Sequence, residues 1–385
     1  METALTECGL RTTHVDEFAA DSQSRLGETR PRAYGFTLVE LLVVITIISI
    51  LAALITVAAI GALKKAREAQ VRTEINEIAT AVDDYKNKTT AYPPNCQNDA
   101  GGPLDDLGIL LDVKRHIKQL APRTQEVDDL AQALTDQLAS KTIVSRSLAG
   151  GLTASEAVVF WLGGFSSDPK YPISGEGGPS YSITSKGAAT NRTLDPIESR
   201  KWIFPFDVTR LGPRAADGFF DETNGRFIEF TDAKGKFRRI NFWVYTPPKS
   251  TQPYLYFDTS RHPAGVLSGS NITGPYDPPA ATSTSPTPLN VYAFKKVNAS
   301  YSTTNSTTTP CITFVNPDKY QILHCGLDGV WDNDNFDSFK KMTAGTGVTN
   351  QTSNFLLFPT GPFVGEVADT IVNFAPETRI EDAQK

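Results

Sequence analysis

Apolar residues are spread unevenly along the 385-residue chain. From Leu41 to Leu63 it reads LLVVITIISILAALITVAAIGAL, 23 residues without a charge. At roughly 1.5 Å rise per residue, such a helix crosses a hydrocarbon core about 30 Å thick. A helix buried in a soluble protein normally keeps a polar stripe, which this run lacks. A cleaved secretory signal has a shorter apolar core followed by a small-residue cleavage site. Here the run passes straight into Lys64, Lys65, Ala66 and Arg67. The helical pattern then continues. Val71, Ile75, Ile78, Val82 and Tyr85 are spaced 4, 3, 4, 3, one face of a helix, bordered by Arg67, Glu68, Arg72, Glu74, Glu77 and Asp83. No Pro or Gly falls between Ala62 and Ala91, and Pro93-Pro94 ends the pattern. The spacing predicts one helix of over 50 residues. It is greasy all round in its first half and amphipathic in its second. The amphipathic stripe needs an apolar surface from the rest of the chain.

Beyond it, Leu104, Leu107 and Leu111, then Val127, Leu130, Leu134 and Leu138, predict two helices broken near Pro122. A short apolar helix over Ser155–Leu162 ends at Gly163-Gly164. After that, strand signals dominate: Arg226–Phe230, Phe237–Tyr245, Tyr254–Phe257 and Tyr320–Leu323. The fold class is α+β, a long N-terminal helix laid on an antiparallel sheet. The expected divisions are a segment 1–35, the long helix 36–92, a helical insertion 93–150, and a mainly β head 151–385. A Ser/Thr-rich loop lies near 280–310.

Glu40 is an acid at the edge of an apolar stretch from Phe36 to Leu63. At the centre of a bilayer an unpaired acid costs about 2.5–3.5 kcal/mol, and less near the edge. Two readings stand on spacing alone. Glu40 decorates the positive end of its own helix, or it pairs with a cation from a neighbouring chain. A cut between Gly35 and Phe36 would create that cation, the new amino group of Phe36, with Glu40 as the fifth residue of the shortened chain.

Gly35 followed by FTLVELLVVITIISILAAL resembles the cleavage and methylation segment of type IV prepilins and of the pseudopilins of type II secretion. The match covers residues 35 to about 92. The resemblance implies a pilin-like fold, cleavage after Gly35 by a membrane prepilin peptidase, N-methylation of Phe36, and Glu40 as the assembly acid. It implies a structural subunit of a homo-oligomeric helical filament, handled by an inner-membrane assembly platform and minor pseudopilins. It places the anchor in the bacterial inner membrane as a single pass, with the leader cytoplasmic and the head outside the cytoplasm. The segment AVVFWLGGF and the C-terminal region also resemble large pseudopilin-like proteins of bacteria.

Charge adjusts this picture. The 37 basic and 43 acidic residues leave a net of −6, which argues against a nucleic-acid binder held by a basic surface. Residues 1–35 form a long leader for the family, with four basic and six acidic residues, and only Arg30 and Arg32 give the expected basic flank. A start assigned too early is one explanation. Lys64, Lys65, Arg67 and Arg72 match the basic residues before the span in number, so positive-inside counting gives no orientation.

Near the C-terminus, GLDGVWDNDNFD is rich in hard oxygen ligands. Two readings are open: a calcium site or a solvated acidic turn. If calcium binds, Asp328, Asp332, Asp334 and Asp337 are the candidates, with Asp369 in reserve. The resemblance adds that major pseudopilins carry calcium in a C-terminal loop. Of the four cysteines, Cys8 would leave with the leader. Cys311 and Cys325 would close a short loop; free thiols at Cys96, Cys311 and Cys325 are the other reading.

No catalytic motif is present: HExxH, GxSxG and Walker A are all missing. His14, His116, His262 and His324 are widely separated. His324 beside Cys325 suggests a nucleophile pair, but adjacent strand residues face opposite ways, so one core and one surface residue is expected. The expectation is no enzyme. The alternative is a minor pilin whose enlarged head binds a surface, a sugar or DNA through Trp202, Trp243 or Trp331.

Overall fold

The long apolar pattern becomes a single helix, α1, running Leu38–Thr89 over 52 residues. The computed structural model describes residues 35–94, 106–126, 152–185, 187, 195–232, 234–260, 266–268, 271–273, 280–281, 290–291, 293–297, 312–331, 358–359, 363 and 365–383. The chain divides into two compact units between Ala59 and Ile60. In the first, residues 35–59 are exposed throughout. Thr46, Ser49 and Thr56 interrupt the apolar side chains there. Each donates its hydroxyl to the carbonyl four residues back, at 2.8, 2.7 and 2.8 Å. The stretch thus offers its surroundings no unsatisfied hydroxyl, the condition lipid imposes. By length and composition, α1 is able to cross a membrane.

In the second unit, α1 buries Glu68, Val71, Ile75, Ile78, Ala81, Val82, Tyr85 and Thr89. These include the five stripe positions expected from the spacing. They pack into a core with Val113 and Ile117 of α2 (Asp106–Leu120) and with α3 (Ala154–Leu162). Every residue of α3 is buried. Thr153 and Glu156 close its first turn as a reciprocal capping box, and Arg226 reaches the Glu156 carboxylate at 3.2 Å. The second expected insertion helix, over 127–138, lies outside the described residues, as does most of the Ser/Thr-rich loop.

The strands are short and every pairing is antiparallel. β1 (Tyr181–Ser182), β3 (Arg226–Thr231) and β4 (Phe237–Phe242) form one sheet in the order β1-β4-β3. β2 (Leu211–Gly212) pairs with β5 (Val244–Tyr245). Three further pairs are β7 (Val266–Ser268) with β8 (Asn271–Thr273), β9 (Ala280–Ala281) with β10 (Asn290–Val291), and β11 (Lys295–Val297) with β12 (Ile312–Phe314).

The central sheet has the order β14-β13-β6, from β6 (Leu255–Phe257), β13 (Gln321–His324) and β14 (Ile371–Val372). Both of its faces are covered. Tyr256, Ile322 and Ile371 point into the cluster that receives α1. Leu255, Phe257, Leu323 and Val372 point into a second cluster with Phe294, Phe314, Trp331 and Phe363. Period-two alternation therefore distributes residues between two apolar layers rather than between core and water. This corrects the expectation for His324 and Cys325. They do face opposite sides, but both are fully buried.

Candidate functional site

The segment before the helix is organised around Thr37. Its backbone N–H and its hydroxyl both donate to Glu40 Oε2 at 2.9 Å, while the Glu40 N–H donates to Thr37 Oγ1 at 3.2 Å. The Leu41 N–H closes the turn on the Thr37 carbonyl at 3.1 Å. This is a capping box, which satisfies amides that the start of a helix leaves open. Sequence reasoning found Glu40 and missed Thr37, although Thr and Glu three apart before an apolar run is the signal. Phe36 is 78% exposed. Among the described residues, a Cβ built on Gly35 would meet no atom within 4 Å.

Further along α1, Glu74 fixes the helix to the head. Arg210 donates to both carboxylate oxygens at 2.6 Å. The Tyr245 hydroxyl donates to Oε1 at 3.0 Å, and Tyr254 donates to Oε2. Arg210 also lies over the Tyr245 ring at 4.3 Å. Burial works against the Arg210 charge, but the Glu74 hydrogen bonds and charge outweigh it and raise the guanidinium pKa. Burial, then the Glu74 carboxylate, pushes both tyrosine hydroxyls up. Four donors on one carboxylate make a bidentate, charge-assisted anchor. Tyr320 adds a bond from its hydroxyl to the Ala79 carbonyl at 2.8 Å.

Of the candidate metal ligands, Asp328 is exposed, whereas Asp332, Asp334 and Asp337 lie outside the described residues. Asp369 is half-buried, and its carboxyl is raised to about 6 by burial and then by the Asp328 charge. Among the described residues its buried Oδ1 has no hydrogen-bond partner. Gly326, at φ +95°, makes room for this carboxylate, because a Cβ there would stand 2.4 Å from Asp369 Cγ. An oxygen-donor carboxylate beside a second acid is the chemistry a hard cation takes. Among the described residues no group of three ligands comes together. Cys325 is a buried free thiol, and its expected partner Cys311 lies outside the described residues, as do Cys8 and Cys96.

His324 stands 3.2 Å from Ser250 Oγ, the spacing of a nucleophile and its base. The tautomer is wrong for that work. The Gly326 N–H donates to Nδ1 at 3.1 Å, so Nε2 carries the proton and faces both Ser250 Oγ and the Gln252 carbonyl at 3.2 Å. Burial holds this imidazole well below its usual range, at about 4. The tryptophans proposed for a binding head are largely interior. Trp243 and Trp331 are buried, and Trp202 is half-buried beneath Arg200.

A family model of the prokaryotic N-terminal methylation motif matches residues 30–56. No curated protein and no solved structure matches the chain. The matched segment spans Gly35, Phe36, the Thr37–Glu40 box and most of the exposed apolar half of α1. Motif and helix together fit a membrane-anchored protein. Its N-terminal segment therefore carries the prokaryotic N-terminal methylation motif, and together with the long apolar helix and the antiparallel sheets this is consistent with the type IV prepilin and pseudopilin family.

Proposed function

We propose that this chain is a structural subunit of a pseudopilus or type IV-like filament. A prepilin peptidase cuts after Gly35 and the new amino group of Phe36 is methylated. The observation that carries the reading is the exposed apolar half of α1 directly behind an acid five residues from the cut. Such a surface needs lipid or other helices of its kind around it.

In the membrane, the Thr37 box keeps Glu40 occupied while no partner is present. In the filament, a cationic Phe36 amine from an adjacent subunit meets Glu40 and sets the axial register. Head-to-tail contacts that do not close generate an open helix. The head lies outside the cytoplasm, the anchor starts in the inner membrane, and an assembly platform with minor pseudopilins is the machinery that handles it. Calcium at Asp328, Asp332, Asp334 and Asp337, aided by Asp369, would stiffen the C-terminal loop. A melting temperature that rises with calcium and falls with chelator supports that part.

Glu40→Ala tests the central role. The variant should be cut and membrane-bound but assembled poorly, as read by shearing and sedimentation of filaments. Normal assembly refutes it. Trp243 and Trp331 are buried, so of the three tryptophans named for a minor subunit with a binding head only the half-buried Trp202 reaches the surface. Copy number separates the two, since a building block lines the filament and a binder sits at its tip.

A further inference from the structure

We propose that residues 373–379 form a flap over one turn of α1, and that the turn beneath docks a second copy of this chain. The proposal rests on the filament reading and names a part of α1 that takes a neighbour. The flap is anchored at both ends. On one side β14 pairs with β13, and the Asn373 N–H bonds the Ile322 carbonyl at 3.1 Å. On the other, Ile380 is fully buried and its N–H bonds the Thr370 carbonyl at 2.9 Å. Between these anchors, among the described residues, 374–379 donate no backbone–backbone hydrogen bond.

Two charged links hold the flap to the helix. Arg379 Nε lies 3.4 Å from Glu68 Oε2, and Arg72 Nη2 donates to the Ala375 carbonyl. Both leave polar atoms idle. Glu68 is 4% exposed, and among the described residues its Oε1 has no partner; neither does Arg72 Nη1 or Glu377 Oε2. Burial lowers the Arg72 pKa, and the Glu377 charge offsets this only in part. Glu74, further along the same helix, instead takes four donors. Buried charges with incomplete partners favour any rearrangement that hydrates or pairs them. The flap is therefore the part of this seam that opens while its anchors stay in place.

Opening uncovers Glu68 and Arg72, opposite charges four residues apart on one helix face. A second copy of that helix, displaced along its axis, sets Arg72 against Glu68, so the face is complementary to itself. Apolar surface adjoins it, because Ile60 and Leu63 in the preceding turns are 64% and 59% exposed. A second copy supplies matching apolar residues as well as matching charges.

Carbodiimide labelling of carboxylates in the full chain tests both halves. With the protein dispersed in detergent, Glu68 should label at least ten-fold faster than the buried Glu156 and Glu229. Arg379→Ala should speed Glu68 further, with the tryptophan-detected unfolding midpoint of the head unchanged. In assembled filaments Glu68 labelling should slow at least five-fold. Glu68 as slow as Glu156 in detergent, in both forms, overturns the flap. Equal rates in detergent and filament overturn the docking of a second copy. Absence of any assembled form overturns the filament reading and the docking with it, while the labelling ratio in detergent still decides the flap.

Discussion

Thr37 and Glu40 make three bonds between two residues, so removing one hydroxyl disturbs both ends of the box. Thr37→Val should cost the helix start about 1 kcal/mol. That corresponds to roughly five-fold faster hydrogen exchange at the Glu40 amide. Glu74→Ala leaves Arg210 half-buried without its carboxylate and strips two tyrosine hydroxyls. It should destabilise the head by about 2–4 kcal/mol in denaturant unfolding. His324 gives a pH effect. Its pKa is about 4 when folded and about 6.5 when unfolded, so the unfolded chain takes up the proton first. Its contribution is complete above about 6.5 and is lost as pH falls toward 4, up to about 3 kcal/mol. Asp369, raised to about 6, works in the opposite direction over part of that range. The comparison of wild type with His324→Gln isolates the imidazole, and the variant should lose less stability between pH 7 and 4. Gly35, Phe36 and Glu40 could be singled out from the sequence because they lie in one local segment, which the methylation motif spans. The partners of Glu74 could not, because Arg210 and Tyr254 lie 136 and 180 residues away and no local spacing links them.

Among the elements, α1 performs two tasks with one backbone geometry. Ile75 is fully buried against the head, whereas Ile48 is 58% exposed. Ile75→Ala should therefore destabilise the head by about 2–4 kcal/mol. Ile48→Ala should leave its unfolding midpoint unchanged. Both are checked by tryptophan-detected unfolding in detergent. The 4, 3, 4, 3 spacing made the buried stripe readable because a helix repeats every 3.6 residues, and Pro93-Pro94 made its end readable. The strands were also visible, since β3, β4, β6 and β13 each fall within an aromatic and β-branched run. What covers each face was not. A three-residue strand such as Leu255–Phe257 has no polar position to betray a wet side, and which layer lies opposite depends on residues 363–383 returning to the sheet.

At the scale of the whole molecule, one membrane-suited helix continues into a head that holds its second half through a charged anchor and an apolar stripe. The proposed leader, anchor and assembly acid all rest on one short segment, the one that carries the methylation motif. N-terminal mass analysis of the protein extracted from its host membrane tests the central claim most directly. The account predicts a chain beginning at Phe36 with a methyl group on its amino terminus and no residue of the leader. An intact chain that still carries residues 1–35, with no processed form beside it, contradicts the account.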